Sequence, residues 1–527
     1  MSHPIYLDSN ATTSVHPAAV AAAVRVMEQQ YGNPSSSHSM GIAAKSVLDE
    51  ARALARAVIG AGEGSVVFNS GATEGIQTAA LSALCDIRAR RQRGETTGSL
   101  LVYGSTEHKA VPQSLAHWNA VLGLNLELRT LPVDANGQHD LQTLAQWLPD
   151  TAMLCTMAAN NETGVISNLP AIERVLRESD ASSQHRTLWL VDCVQALGKL
   201  ELNLANTRVD YAPFSGHKLY APKGVGMLYV RQGAPYTALM AGGGQEGGMR
   251  SGTENMAGIA AFGAVLQALL QGDFADHARL QGYRDALESS LRQAFPAIEF
   301  NAPLAHSLPT TLNFSVPDIS SKTMLDVMDA AGVCVSAGSA CSAAKSAPSY
   351  VLDAMGLPEW RTGSAVRMSF GALVTQQNID AACIAIARCG EVLAARKRTP
   401  ASDVAPVNIA PQSIEPVQEL SWAELESFLA DNPDAALVDV RETEEHLVGN
   451  RIACAGRQAV NAPLSGLPAS ASQWLGSHSS PVIFVCRSGN RSLKAAQWLQ
   501  AQGHPGVRHI AGGLALRPPQ ASVKVMP

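Results

Sequence analysis

Three stretches carry side chains whose types and spacing can do chemistry. In the first, SVVFNSGATEG sets a strand, a glycine turn and a helix starting at Thr73. Backbone N–H groups and a hydroxyl converge there at the positive end of a helix dipole, which makes a phosphate seat or simply a helix capped by Thr73. Further on, LVDCVQ ends a strand on Asp192, with Gln195 three residues beyond. A carboxylate at that point can hold a pyridine nitrogen protonated, or it caps a turn. FSGHKLYAPKGVG then presents Lys218 beside His217 and Ser215. An amine in such a loop can capture an aldehyde and later act as a base, whereas taken singly it reads as a solvated surface lysine. In this order the three fit one cofactor bearing a phosphate, a pyridine ring and an aldehyde.

The second stretch, VCVSAGSACSAAKSAPSYVLDAMG, surrounds Cys341 with Ser, Gly and Ala. Such residues pack loosely, so the thiol reads as one on a movable loop; the other reading is a small buried hydrophobe. In the third, PVIFVCRSGNRSLKAAQWL runs from a strand into Cys486 and the short loop Arg487, Ser488, Gly489, Asn490 and Arg491, then into a helix. N–H groups curling around a sulfur at a helix N-terminus stabilise a thiolate or persulfide; the alternative is a strand-ending buried cysteine. Arg367, in SAVRMSF, offers a guanidinium for a carboxylate or for a structural ion pair.

These residues need elements to position them. Between about Pro17 and Val230, helical patterns alternate with the short apolar runs SVVFNS, LLVYGS, LELRTL, AMLCTM, TLWLVD, YAPFS and VGMLYV. This alternation predicts a mostly parallel sheet covered on both faces. Helical patterns over residues 256–295, TTLNFSV, a helix near 322–331, VCVSAG, SAVRMSF and a last helix predict a smaller α+β unit. The Pro- and Ala-rich stretch at 396–415 reads as a semi-extended tether. Beyond it a second α/β unit begins, with a helix from Ser421, the strands AALVDV and PVIFV, and a helix near Ser492. The expected division is a large domain at about 15–255, a small domain from 1–14 and 256–395, and a C-terminal domain at 416–520.

Composition bounds the partners. A net charge of -6, with 16% charged residues, creates no field that gathers nucleic acid. Neither a basic leader with an apolar run nor a membrane-length stretch stands out, so no membrane is expected and the location is read as cytoplasmic. Nine cysteines without a CxxC pair fit neither a disulfide framework nor a metal site, and no metal is expected.

From about Tyr6 to Ala395 the chain resembles the cysteine desulfurases of the NifS and IscS type, fold-type I enzymes that use pyridoxal 5'-phosphate. The motifs are YLDSNATT, YGNPSSSHSMG, SGATEG, TEHKAV, NNETGV, VDCVQ, SGHK, GGGQEGGMRSGTEN, SAGSACSAAK and VRMSFG. The resemblance implies that Lys218 anchors the cofactor, Asp192 pairs with its ring nitrogen and His108 stacks on the ring and moves protons. It implies that Asn161 and Gln195 contact the ring oxygen, with Asn161 also near the substrate. Ala72, Thr73, Ser215 and His217 would bind the phosphate. Thr253 would reach the phosphate of a neighbouring subunit, hence a homodimer. Arg367 would clamp the carboxylate of L-cysteine, and Cys341 would take its sulfur. The long SAGSAC loop resembles the group serving iron-sulfur assembly and general thiolation.

Residues from about Ile414 to Pro519 resemble a single-domain rhodanese, through LVDVRE (Asp439, Arg441) and VCRSGNRS. Two stretches depart from that family: Gly449, Asn450 and Arg451 replace its Gly-His-Ile, and GGLALRPP lacks its tryptophan. Together the resemblances imply a desulfurase whose sulfur passes from Cys341 to Cys486, then to acceptor proteins (an iron-sulfur scaffold or thiolation enzymes) or small thiols. The alternative is a selenocysteine lyase or β-eliminase on the same scaffold, with the rhodanese unit as a noncatalytic docking module.

Overall fold

The computed structural model describes residues 4–183, 185–274, 276–337, 348–396, 416–449, 451–475 and 480–518. Cys341, Asn450 and the tether at 397–415 lie outside them.

All seven apolar runs of the first half form one sheet, in the order Ser65–Asn69, Gly226–Val230, Tyr211–Ser215, Leu188–Asp192, Thr151–Met157, Leu100–Gly104 and Glu127–Leu131. Every neighbouring pair is parallel except those of Gly226–Val230, which runs antiparallel to both its partners. Four strands are buried along their whole length, Thr151–Met157, Leu188–Asp192, Tyr211–Ser215 and Gly226–Val230, as a sheet covered by helices on both faces demands. Asp192 ends one of these strands, and the turn Gly216–Lys218 follows another. The reactive groups thus gather at the carboxyl edge of the sheet, where such folds place their ligands.

The smaller unit builds an antiparallel sheet from Ser336–Ala337, Val366–Ser369, Thr311–Ser315 and Glu299–Phe300. Its helices His277–Ala294, Ser321–Ala330 and Gln376–Arg396 enclose a core of Leu287, Phe314, Val327 and Ile386. The N-terminal strand Ile5–Tyr6 joins this unit by pairing in parallel with Val333–Cys334.

Helix Met256–Leu270 sits differently from the expected boundary. Ile259, Phe262, Val265 and Leu266 pack into the core of the large sheet unit, and Ala260 packs on Ala22 and Val26. A helix apolar on nearly every face has to be enclosed, and the large unit's helices Pro17–Gln29 and Ser39–Ile59 enclose it.

The C-terminal unit is a five-stranded, wholly parallel sheet in the order Gln418–Leu420, Val507–Ile510, Val482–Val485, Ala436–Asp439, Val460–Asn461. Helix Trp422–Asp431 starts on a capping box in which Ser421 and Glu424 satisfy each other's backbone N–H groups. Helix Asn490–Ala501 follows strand Val482–Val485 directly and closes the Cys486 loop.

Candidate active site

Lys218 Nζ donates to the carbonyls of Asn10 and Ala11, at 2.7 and 2.8 Å. Thr13 ties the same turn down by donating from its N–H and its hydroxyl to the His217 carbonyl. Asp192 is buried, and Oδ1 accepts from the Val194 N–H at 2.9 Å. Burial pushes its carboxyl up, while the Val194 N–H, His108 and Lys218 act against that. His108 is exposed at the open side of the site. Desolvation by the surrounding protein still lowers its basicity; Asp192 opposes this and Lys218 adds to it. His217, whose Nδ1 lies 3.1 Å from Thr12 Oγ1, is pushed down to about 4 by burial and then by Lys218 and Lys223. The His217 imidazole is therefore neutral at pH 7.

Gly71 holds φ at +146°, a conformation that L side chains rarely adopt, and no side chain caps helix Ala72–Gln92 behind it. Thr73 is exposed and does not cap. The buried Ser215 lies beside the turn, its Oγ 3.7 Å from where a Cβ on Gly71 would stand. Gln195 Nε2 donates to the Asn10 carbonyl at 3.1 Å. The Asn161 carbonyl accepts from Arg367 Nη1 at 2.9 Å. Arg367, 2% exposed, also pairs with Asp8 at 2.7 Å and with Ser336 Oγ at 2.8 Å, and its Nε meets no acceptor among the described residues. Thr253 is exposed in a cleft shared with Asn69, Ser70 and Arg250.

In the C-terminal unit Cys486 is fully buried, and the Ser492 N–H points at its sulfur at 3.3 Å. Gly489 turns the loop at φ +87°, where an added Cβ would stand 2.9 Å from the Gly512 nitrogen. The Leu514 N–H holds the Cys486 carbonyl, and Ala515 holds that of Arg487. Arg491 grips Glu445 through two bonds at 2.5 and 2.7 Å, which raises its basicity further despite burial. Asp439 binds Arg441 at 2.8 Å and His446 at 2.9 Å, fixing the neighbouring strand end.

Residues 5–382 match the class-V aminotransferase family, and residues 421–516 match the rhodanese-like domain. Cysteine desulfurase 2 of Trichormus variabilis is 37% identical over 377 residues, covering 71% of this chain and 90% of that protein. Cysteine desulfurase IscS of Anaeromyxobacter dehalogenans is 36% identical over 386 residues, covering 72% and 91%. The chain belongs to the cysteine desulfurases. A solved NifS-like protein superimposes with a TM-score of 0.65 at 31% identity, covering 74% of this chain and 99% of that one. These names do not favour the lyase or β-eliminase alternative.

Cysteine desulfurases use pyridoxal phosphate, and the residues present fit it. A buried carboxylate with one backbone donor wants a cation, which a protonated pyridine nitrogen supplies. The helix start lacking a side-chain cap suits a phosphate, and Lys218 suits the aldehyde. Ala72, Thr73, Ser215 and His217 would hold the phosphate side, with Asp192, Gln195, Asn161 and His108 around the ring.

Two groups of this desulfurase site carry no assignment from the motifs. Asp8 is the counter-charge of Arg367. Lys199 Nζ donates to Gln195 Oε1 at 2.6 Å and to Asn10 Oδ1 at 3.1 Å, so it fixes the amide that faces the cofactor side. The signal was a lysine four residues after Gln195, on a turn that continues from the Asp192 strand.

Proposed function

We propose that the protein converts L-cysteine to L-alanine, takes the sulfur as a persulfide on Cys341 and relays it to Cys486. Acceptors for iron-sulfur assembly, thio-cofactor synthesis or tRNA thiolation, or small thiols, then collect it. One observation carries this reading: a Lys218, Asp192 and Arg367 site and a sulfur-cradling Cys486 loop are parts of one chain.

Bound pyridoxal phosphate supplies an electron sink for the charge left at the substrate Cα. Arg367 holds the substrate carboxylate, a task suited to a planar guanidinium. Lys218 Nζ takes the α-proton, and His108, its basicity lowered by desolvation, moves protons at the substrate sulfur. The Cys341 thiolate attacks that sulfur: an S–S bond forms, the C–S bond breaks and its electron pair stays with the substrate carbon. Proton return to carbon completes alanine.

A homodimer, with Thr253 reaching a neighbouring phosphate, is supported by an apolar strip on helix Pro17–Gln29. Val20, Val24 and Met27 share one face there and are 50%, 40% and 59% exposed. No helix among the described residues is long and apolar enough to cross a membrane. Thiol chemistry of this kind suits a reducing cytoplasm.

Mass spectrometry tests the reading after reaction with sulfur-labelled cysteine and alkylation without reductant. Label on Cys486 that vanishes in Cys341→Ala is the expected result. Label confined to Cys341 in the wild type would overturn the relay.

A further inference from the structure

The rhodanese-like unit sits on the desulfurase through its own built contact. Val448, at the end of helix Thr443–Val448, is 1% exposed because it inserts into the hydrophobic core of the small domain. Gly449 follows so closely that a Cβ there would stand 3.0 Å from the Ala330 carbonyl. Polar complementarity surrounds the apolar knob in both directions. From the desulfurase side, Arg388 donates to the Val448 carbonyl and Arg396 pairs with Glu444 at 2.9 Å. From the rhodanese side, Arg487 lies 3.0 Å from Asp326 and 3.8 Å from Asp329.

Arg487 is the residue immediately after Cys486, so this ion pair clamps the cysteine loop and not a remote surface. The clamp also has a direction. Helix Ser321–Ala330, which carries Asp326 and Asp329, leads into strand Val333–Cys334. That strand pairs with Ile5–Tyr6, and the Cys334 carbonyl accepts from the Leu7 N–H at 2.9 Å, next to Asp8, the partner of the substrate-side Arg367. One short strand therefore separates the rhodanese loop from the carboxylate end of the desulfurase site.

We propose that this face is the loading dock of the relay. The rhodanese unit takes sulfur while docked on the desulfurase of its own chain, with Arg487 held by Asp326 and Asp329 to position the Cys486 loop. The inference rests on the relay reading above. In the transfer, the Cys486 thiolate attacks the outer sulfur of the donor persulfide. Cys486 first gives up its proton; one S–S bond then forms as the other breaks, the donor leaves as a thiolate that takes up the released proton, and no net oxidation occurs.

The test uses full-length protein, labelled cysteine and rapid quenching, reading label on Cys486 and alanine in the same samples. In Asp326→Asn/Asp329→Asn, labelling of Cys486 is expected to slow by on the order of tenfold, with alanine formation within about twofold of wild type. Arg396→Glu should slow it roughly two- to fivefold, and adding Glu444→Arg should restore it. That rescue separates docking from misfolding. Co-expressed Cys341→Ala and Cys486→Ala chains should leave Cys486 unlabelled. Unchanged labelling in the docking variants, or wild-type labelling of Cys486 in the co-expressed mixture, would overturn the proposal. Wild-type protein with no label on Cys486 would instead bring down the relay itself.

Discussion

Lys199 offers a sharp test because its chemistry and its position pull against each other. Its ammonium is pushed down to about 7 from an ordinary 10.5, by burial first and then by the Lys218 and Arg367 cations. The folded-state value lies below the unfolded one, so the unfolded chain binds the extra proton between them. Stability from this group therefore rises with pH from about 7 to 10.5 and is flat below 7. At about 1.4 kcal/mol per pH unit, moving from pH 7 to 9.5 yields about 3 kcal/mol for full enclosure, and on the order of 2 kcal/mol once solvent screening of a partly exposed side chain is included. Lys199→Met keeps the length and removes the proton. It also leaves Gln195 Oε1 and Asn10 Oδ1 without their donor, a pH-independent cost of about 1–3 kcal/mol. Urea unfolding followed by the absorbance of the bound cofactor reports on the desulfurase unit alone. The stability of wild type relative to the variant is expected to rise by on the order of 2 kcal/mol between pH 7 and 9.5. A difference that stays constant across this range would refute the argument that Lys199 is held near neutrality by its surroundings.

Two further outcomes follow from the geometry. Arg367→Lys loses the fork that reaches Asp8, Ser336 and the Asn161 carbonyl at once, so kcat/KM for cysteine should fall by about 10- to 100-fold, mostly through KM, in steady-state alanine assays. Gly489→Ala forces a Cβ into a left-handed turn and against the Gly512 nitrogen, at a cost of about 1–3 kcal/mol; Cys486 should then alkylate faster with iodoacetamide while alanine production stays unchanged.

Period and punctuation made much of this molecule legible in its sequence. The seven apolar runs are the seven strands of the large sheet, and SGATEG, VDCVQ and SGHK fall at strand ends because a parallel sheet sends its reactive loops to one edge. The Cys486 loop reads equally well, since strand, loop and helix are contiguous there. Helix Met256–Leu270 was misplaced for a physical reason: an all-round apolar helix declares that it is buried but not in which core. Pairings across hundreds of positions were also silent. Asn10 joins Lys218, Gln195 and Lys199 through a loop whose residues have no periodicity, and Arg367 meets Asp8 only because the N-terminal strand pairs with Val333–Cys334.

The same limit explains the docking face. Asp326 and Asp329 lie on a helix of the desulfurase, and Val448 ends a helix of the rhodanese-like unit far along the chain. Only the fold brings them to one seam. Charge complementarity that runs both ways around a buried valine is what separates such a seam from a chance contact, because a chance contact has no reason to clamp the residue next to the reactive thiol.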